Sequence, residues 1–276
     1  MTKDDLYIAV LNQEIAREFV HSDIPQTDLA AVVVERNAEG RNTPLTESNL
    51  AGMWLTDEEG IEVAQEHTNQ DHFICMSVAQ ALGLDAKAAG IDQETSAEMT
   101  ASYSDTALYV LTNQNGVYGA AAITRPEIMK GITEKFGPVY VLPSSVHEVL
   151  ILPKAQAPDV ESLRAMVHEI NMTQVLPKER LSDNIYEISG SHLVITKGNE
   201  KTPARNEGKY ERDADMITTR QIANALRLHY MLSGRIKEPP AEDVTAEELR
   251  KRIREMRDDE IITVYLPEPG ENSHEA

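Results

Sequence analysis

The chain has 276 residues, 41% of them hydrophobic, which is enough for one large folded domain or two modest ones. Its 46 acidic residues outnumber its 26 basic ones, and the resulting net charge of −20 disfavours direct binding to nucleic acid or to an anionic membrane surface. The single cysteine excludes an internal disulfide bond.

No apolar run in the chain approaches the roughly 20 residues that a membrane-spanning helix requires. The N-terminal stretch MTKDDLYIAV lacks the basic and then apolar pattern of a secretory signal. We therefore expect a cytoplasmic protein without a membrane partner, and one unpaired cysteine fits a reducing compartment.

The N-terminal part of the chain predicts strands followed by a helix. Residues 6–11 (LYIAVL) and 28–35 (DLAAVVVE) are apolar runs that predict two strands, with one short helix between them. Thr56 and Glu59 form a T-x-x-E capping box, which predicts the start of a further helix. Residues 85–106 are small and polar, which indicates a mobile connection or a poorly packed helix, and a place where the domain could be subdivided.

Residues 107–124 predict a β-hairpin. The run ALYVLT is followed by NQNG and then by VYGAAAIT, and an Asn-Gly pair supplies the positive φ that a tight turn requires. Thr124 and Glu127 then predict a second capping box, with Pro126 in the first helical turn and Gly137 after the last one.

Two more strand pairs are predicted further along. Residues 139–153 (VYVLPSSVHEVLILP) predict a hairpin around a polar turn, and NIYEI and HLVIT predict another pair. Asp159 predicts the N-cap of a helix whose apolar residues recur at spacings of three and four. The order strand, strand, helix thus occurs twice. We predict an α+β fold, in which a mostly antiparallel sheet built from hairpins carries helices on one side.

The main α+β domain is predicted to span residues 1–197. The charged, glycine-containing stretch 198–214 predicts a linker, and residues 215–276 predict a C-terminal helical appendage that docks on the main domain. The appendage would contain a helix at 215–233, a second helix capped by Thr245, and a short terminal strand with the sequence IITVYLP.

The polar turn within residues 139–153 concentrates reactive side chains. Ser145 and His147 would share one face if the segment were extended, and with Glu148 they are the candidate catalytic residues of a serine hydrolase. However, the G-x-S-x-G motif and a glycine-rich oxyanion loop are missing from the sequence. The alternative, which we favour, is a turn whose hydroxyls bond to nearby backbone groups while His147 and Glu148 hold the strand ends.

No metal and no cofactor are expected. The two internal His-Glu pairs lack the second histidine of the H-E-x-x-H zinc motif, and no phosphate-cradling glycine loop is present. His67, His72 and Cys75 lie close together in the sequence. Cys75 belongs to the apolar run FICMSVAQAL, in which a free cysteine usually packs as a small hydrophobic residue.

Several strings in the chain resemble a known family. They are LPSSVHEVLILP at residues 142–153, LRAMVHEINMTQVLPKERLSDNIYEI at residues 163–188, and the earlier pieces Asp23-Ile-Pro25, Asp28-Leu29, Trp54 and Gly119-Ala-Ala. Over roughly residues 5–190 these pieces are similar to a family of uncharacterised bacterial proteins, domain of unknown function 5688. The resemblance brings no activity. It implies that other members have a further N-terminal region, and that residues 199–276 of this chain are an addition to the shared domain.

The resemblance also implies a shared polar feature, which comprises Ser144, Ser145, His147, Glu148, Asn171 and Asp183. From it we predict a polar cluster where the turn at 143–148 meets the helix end at Asn171 and the following LSD turn. Such a cluster would bind a peptide or a small ligand, with Ser144, Asn171 and Asp183 as candidate ligand-binding residues.

These observations predict a non-catalytic binding or adaptor protein that has a protein partner. The first alternative is a serine-type hydrolase that uses Ser145 and His147. The second is an acidic protein that inhibits a nucleic-acid enzyme by mimicry, which would need carboxylates aligned on one face at phosphate-like spacing. The sequence leaves the oligomeric state open.

Overall fold

The computed structural model describes residues 2–37, 42–101, 103–104, 106–197, 217 and 219–232. The strands are β1 (Leu6–Asn12), β2 (His21–Asp23), β3 (Leu29–Arg36), β4 (Asn42–Pro44), β5 (Phe73–Ser77), β6 (Tyr109–Asn113), β7 (Val139–Ser145), β8 (Glu148–Pro153), β9 (Tyr186–Ser189) and β10 (His192–Ile195). The α-helices are α1 (Gln13–Ala16), α2 (Glu47–Gly52), α3 (Asp57–Asn69), α4 (Val78–Ala88), α5 (Gln93–Ala101), α6 (Pro126–Phe136), α7 (Val160–Thr173) and α8 (Thr219–Leu232). Short 3-10 helices span Lys3–Asp5, Gly119–Thr124, Lys154–Gln156 and Pro177–Glu179.

The strands form two antiparallel sheets. The larger sheet has six strands in the order β10-β9-β7-β8-β6-β5, and the smaller one has the order β1-β3-β2, with β4 also paired to β3. The predicted hairpin of β7 and β8 and the predicted pair of β9 and β10 are both present. The α+β class, the antiparallel pairing and the helix near residue 220 are therefore confirmed.

The two sheets and the helices lie in layers. Successive side chains of β3 point to opposite faces of the smaller sheet. Ala30 and Val32 face the larger sheet, whereas Ala31 and Val33 face α2 and α3. Helices α4, α7 and α8 cover the outer face of the larger sheet. Helix α6 and the 3-10 helix Gly119–Thr124 pack beside the smaller sheet in the central layer. The sheet that carries the candidate site is thus buried on both faces.

The predicted hairpin at residues 107–124 is wrong. Both edges of β6 are occupied, since it pairs with β5 on one side and with β8 on the other. The Asn-Gly signal does mark a turn, in which Gly116 has a φ of 62°. The chain after the turn forms the 3-10 helix Gly119–Thr124 instead of a strand, so strand, strand, helix does not occur twice. Its small residues pack against the sheet.

Of the three predicted helix caps that fall within the described residues, two were right. Thr56 and Glu59 form the capping box at the start of α3, and Asp159 accepts a hydrogen bond from the backbone of α7. The box predicted from Thr124 is wrong, because its hydroxyl donates to the carbonyl of Ala121 and the N-cap of α6 is Arg125. Pro at the first position and the glycine at the end of α6 are as predicted.

Other segments of the chain differ from their predicted structure. The helix expected after β1 is only the short α1, since the chain then forms β2. The stretch 85–106 contains the end of α4 and all of α5, whose Thr95 is buried. The predicted helix at 215–233 is α8. The linker, the helix capped by Thr245 and the strand IITVYLP lie outside the described residues, and the domain boundaries stay a prediction.

Candidate functional site

The turn that joins β7 and β8 carries the two serines of the candidate site. The strands pair with Ser145 opposite Glu148, and Val146 and His147 form the reversal between them. The register shifts in the stretch around Pro143, which has no N–H to give to the ladder. The segment is therefore not extended through His147, and the condition under which Ser145 and His147 would share a strand face is not met.

Both serine hydroxyls bond to the glutamate across the turn. Ser145 Oγ donates a hydrogen bond of 2.8 Å to Glu148 Oε1 and accepts one of 3.1 Å from the backbone N–H of His147. Ser144 Oγ lies 3.2 Å from both Oε1 and the carbonyl oxygen of Glu148. Glu148 is only 1% exposed, so the hydroxyls take the place of water around a buried carboxylate.

A histidine of α8 and an aspartate of α4 complete this arrangement. His229 Nδ1 donates a hydrogen bond of 2.6 Å to Asp85 Oδ2, and its Nε2 lies 3.8 Å from Glu148 Oε2. Burial alone would lower the pKa of His229, but the hydrogen bond to Asp85 and the carboxylate of Glu148 raise it to about 9. This raised pKa favours the positively charged form of His229 at neutral pH. We refer to Ser144, Ser145, Glu148, Asp85 and His229 as the buried cluster.

The buried cluster is arranged to hold a charge and not to activate a serine. A serine nucleophile needs an imidazole nitrogen that accepts its proton, whereas the Ser145 hydroxyl donates to Glu148. His229 Nε2 lies 3.8 Å from that same carboxylate, and the raised pKa of His229 favours the protonated imidazole, which has no lone pair to accept a proton from serine. The geometry therefore stabilises an ion pair inside the protein.

His147 lies in a different environment from the serines. Its Nδ1 accepts a hydrogen bond of 3.2 Å from the backbone N–H of Tyr118, and its Nε2 lies 3.8 Å from Glu179 Oε2. Because its Nδ1 lone pair is already used, His147 cannot take a proton there from Ser145. The Tyr118 ring stands edge-on to the imidazole, and burial followed by the charge of Glu179 raises the pKa of Tyr118.

Asn171 and Asp183 belong to a second network. Asn171 Nδ2 donates hydrogen bonds to the carbonyl of Ser182, at 2.9 Å, and to Asp183 Oδ1, at 2.7 Å. Asp183 also accepts a hydrogen bond of 2.6 Å from His168. Within the described ranges, no hydrogen bond or ion pair of Asn171 or Asp183 reaches the turn of Ser144, so the single cluster predicted for these residues is not formed.

Sequence reasoning missed Asp85 and His229. They are 144 positions apart in the chain, and no spacing rule connects them to the turn between β7 and β8. A signal for His229 does exist, because it lies among Leu226, Leu228 and Tyr230 on a helix. A polar side chain on the buried face of a helix requires a buried partner.

The three residues considered as metal ligands, His67, His72 and Cys75, lie in different environments. His67 Nδ1 donates a hydrogen bond of 2.9 Å to the carbonyl of Leu6, whereas His72 is exposed. Cys75 is fully buried, and burial raises the pKa of its thiol to about 12, so it packs as a hydrophobic residue, as predicted. Among the residues that the structure describes, no group of three or more His, Cys, Asp or Glu side chains is placed to hold a metal ion.

A separate surface feature is Trp54, in the connection between α2 and α3. Its side chain is 91% exposed, and its backbone has a φ of 59°. A positive φ is rare in a bulky residue and costs about 1 kcal/mol or more. Helix α3 begins directly afterwards and exposes Glu58, Glu62 and Glu66.

The fold and these sites define a layered α+β protein with two antiparallel sheets and a buried ion-pair cluster. The chain belongs to the family of unknown function DUF5688, whose family model matches residues 1–189. No curated protein and no solved structure matches the chain. Across the described part of the chain, no helix combines the length and the apolar content needed to cross a lipid bilayer.

Proposed function

We propose that the chain is a non-catalytic binding protein that recognises a basic segment of a protein partner through Trp54 and the exposed glutamates of α3. We refer to Trp54, Glu58, Glu62 and Glu66 as the Trp54 surface. The observation that carries this proposal is the exposure of Trp54, which is 91%. A tryptophan exposes a large apolar area to water at this position.

The conformation of Trp54 supports a binding role. Its neighbours Met53 and Leu55 pack against the core beneath α2 and α3, so the chain on both sides is fixed. The left-handed φ of Trp54 sits between these two anchored residues. Tryptophan is enriched among the residues that dominate the binding energy of protein interfaces.

The exposed glutamates determine which kind of partner would fit. Glu58, Glu62 and Glu66 follow one another at a spacing of four residues, which places them along one side of α3. Like charges at this spacing destabilise an isolated helix, and α3 contains no lysine or arginine to offset them. A partner that supplies lysine or arginine would neutralise this row and could place a cation on the indole face of Trp54.

The geometry of the turn supports the non-catalytic part of the proposal. Ser145 donates to a carboxylate, and His147 bonds elsewhere. A serine hydrolase that uses Ser145 and His147 is therefore less well supported than a binding protein. Under this proposal a serine-directed phosphonate probe leaves the native protein unlabelled, and labelling that disappears in Ser145→Ala would favour the hydrolase.

The partner class can be tested by fluorescence, because Trp54 is the only tryptophan in the chain. An oligolysine peptide is titrated into the full-length protein while the emission of Trp54 is recorded. We expect a saturable change in emission that weakens when the salt concentration rises from about 0.05 M to about 0.5 M. The triple variant Glu58→Gln, Glu62→Gln, Glu66→Gln should bind at least about tenfold more weakly, by loss of charge complementarity.

A second triple variant controls for the overall negative charge. Glu14→Gln, Glu18→Gln and Glu94→Gln remove the same number of exposed charges from other parts of the chain. This variant should bind oligolysine within about twofold of the native protein if the Trp54 surface is the site. An unchanged Trp54 emission throughout the titration, or equal weakening in the two triple variants, contradicts the proposal.

A further inference from the structure

Helix α8 lies outside the residues that the family model matches and yet forms part of the core. The match ends at residue 189, whereas α8 begins at Thr219. The helix packs on α4 and α7 over the outer face of the larger sheet. Among its described side chains, the buried ones are Ile222, Ala223, Ala225, Leu226, Leu228, His229 and Tyr230. The matched region thus presents an apolar face that a helix from outside it covers.

His229 is a titratable residue on this covered face. It is 6% exposed, and the two carboxylates it approaches, Asp85 and Glu148, both belong to the matched region. Glu148 is itself 1% exposed and also accepts hydrogen bonds from Ser144 and Ser145. The matched region therefore contains a buried carboxylate that a histidine of α8 approaches.

We propose that Asp85 and Glu148 form a docking site for a helix that bears a cation, and that α8 occupies this site only when His229 is protonated. The reason is the cost of burying charge. His229 approaches Asp85 through Nδ1 and the buried Glu148 through Nε2, and a carboxylate shielded from water is costly without a cation beside it. A neutral imidazole would leave both carboxylates without that cation.

The titratable groups around His229 can be assigned to their elements. Asp85 comes from α4, Glu148 comes from β8, and the adjacent Tyr230 belongs to α8 itself. From α7, Glu169 forms an ion pair with Arg227 of α8. That pair is partly exposed, with 33% and 56% of the two side chains accessible, so water screens it. It provides a matched control for the buried pair.

The sign of the pH dependence follows from the raised pKa of His229. The pKa of about 9 in the folded protein is above the ordinary value of 6.5. Docking is therefore favoured fully below pH 6.5, and this contribution is lost as the pH rises through 9. The helix should stay docked at neutral pH and loosen in alkaline solution.

The experiment uses the full chain with a specific protease site inserted between Glu200 and Lys201. The folded protein is cut, and the dissociation constant of the C-terminal fragment is measured at pH 7 and at pH 10. We expect His229→Gln to raise this constant by roughly a hundredfold at pH 7, because it removes the cation beside the two carboxylates. Arg227→Gln should raise it by less than about threefold, and alkaline pH should weaken the native fragment more than the His229→Gln fragment.

If His229→Gln folds poorly, a second variant and a measurement on the native protein test the same role of His229. Asp85→Asn keeps the shape of the aspartate and should weaken docking in the same direction. The protonation state of His229 can be read from its assigned imidazole resonances in the uncut native protein, where we expect the charged form at pH 8. A neutral His229 at pH 7, or a His229→Gln fragment that binds as tightly as the native one, overturns the proposal.

Discussion

Gly119 shows how one residue holds the polar turn in place. A Cβ atom at this position would lie 2.3 Å from Thr112 Oγ1, 2.5 Å from the backbone nitrogen of Asn113 and 2.7 Å from the carbonyl oxygen of His147. Two of these contacts are with backbone atoms, which can move away only at a large cost in free energy. We expect Gly119→Ala to lower the free energy of unfolding by about 3 kcal/mol or more, measured by urea denaturation.

Gly131 in α6 is the matched control for this prediction. A Cβ atom there would meet nothing within 4 Å, and alanine is the better helix former. Gly131→Ala should therefore raise the free energy of unfolding by about 0.5–1 kcal/mol. Equal effects of the two substitutions would show that the close approach at Gly119 does not constrain the turn.

At the scale of single elements, the cap of α7 makes a testable contribution. Asp159 accepts a hydrogen bond of 2.9 Å from the backbone N–H of Ser162 and a second one from its hydroxyl. These two hydrogen bonds lower the pKa of Asp159. Asp159→Ala should lower the free energy of unfolding by about 1 kcal/mol at neutral pH.

The pH dependence of that cap follows from the lowered pKa of Asp159. Its contribution is present above the ordinary pKa of 3.8 and is lost as the pH falls through the lower value in the folded protein. Urea denaturation at pH 7 and at about pH 2.5 should therefore show a smaller difference between the native protein and Asp159→Ala in acid. A difference that stays constant would mean that the carboxylate charge plays no part in the cap.

Elements with local signals were predictable, and contacts between distant elements were not. The hairpin of β7 and β8 and the caps at Thr56 and Asp159 depend on residues a few positions apart. The error at residues 107–124 arose because the turn was recognised, whereas the partners of β6 are β5, which precedes it, and β8, which comes much later in the chain. Strand pairing of this kind depends on tertiary packing.

The residues of the candidate site also fall into those that the sequence could predict and those that it could not. Ser144, Ser145 and Glu148 were predictable as a group because they surround one turn. Asp85 and His229 enter the buried cluster from α4 and α8, and only the packing of those helices on the sheet brings them together. The charge state of His229 could not be predicted, because it depends on carboxylates that are distant in sequence.

At the scale of the whole molecule, Asp28 connects the two sheets. It lies just before β3, in the smaller sheet, and its carboxylate accepts hydrogen bonds from Ser182 at 2.7 Å, from Asn184 at 3.1 Å and from the hydroxyl of Tyr186. These donors lie at or just before β9 of the larger sheet. Burial, followed by the charge of Asp28, raises the pKa of Tyr186. The contact therefore joins the layers through a neutral phenol and a carboxylate.

Removing the phenol hydroxyl should weaken the connection between the sheets. Tyr186 is fully buried, so Tyr186→Phe leaves its packing intact and takes one hydrogen-bond donor from a charged acceptor. We expect the free energy of unfolding to fall by about 1.5–3 kcal/mol in urea denaturation. Tyr140→Phe in the same sheet is the control, because the Tyr140 ring is partly exposed beneath Lys154, and its loss should be within about 0.5 kcal/mol. If both substitutions cost the same, the Asp28 contact does not hold the layers together.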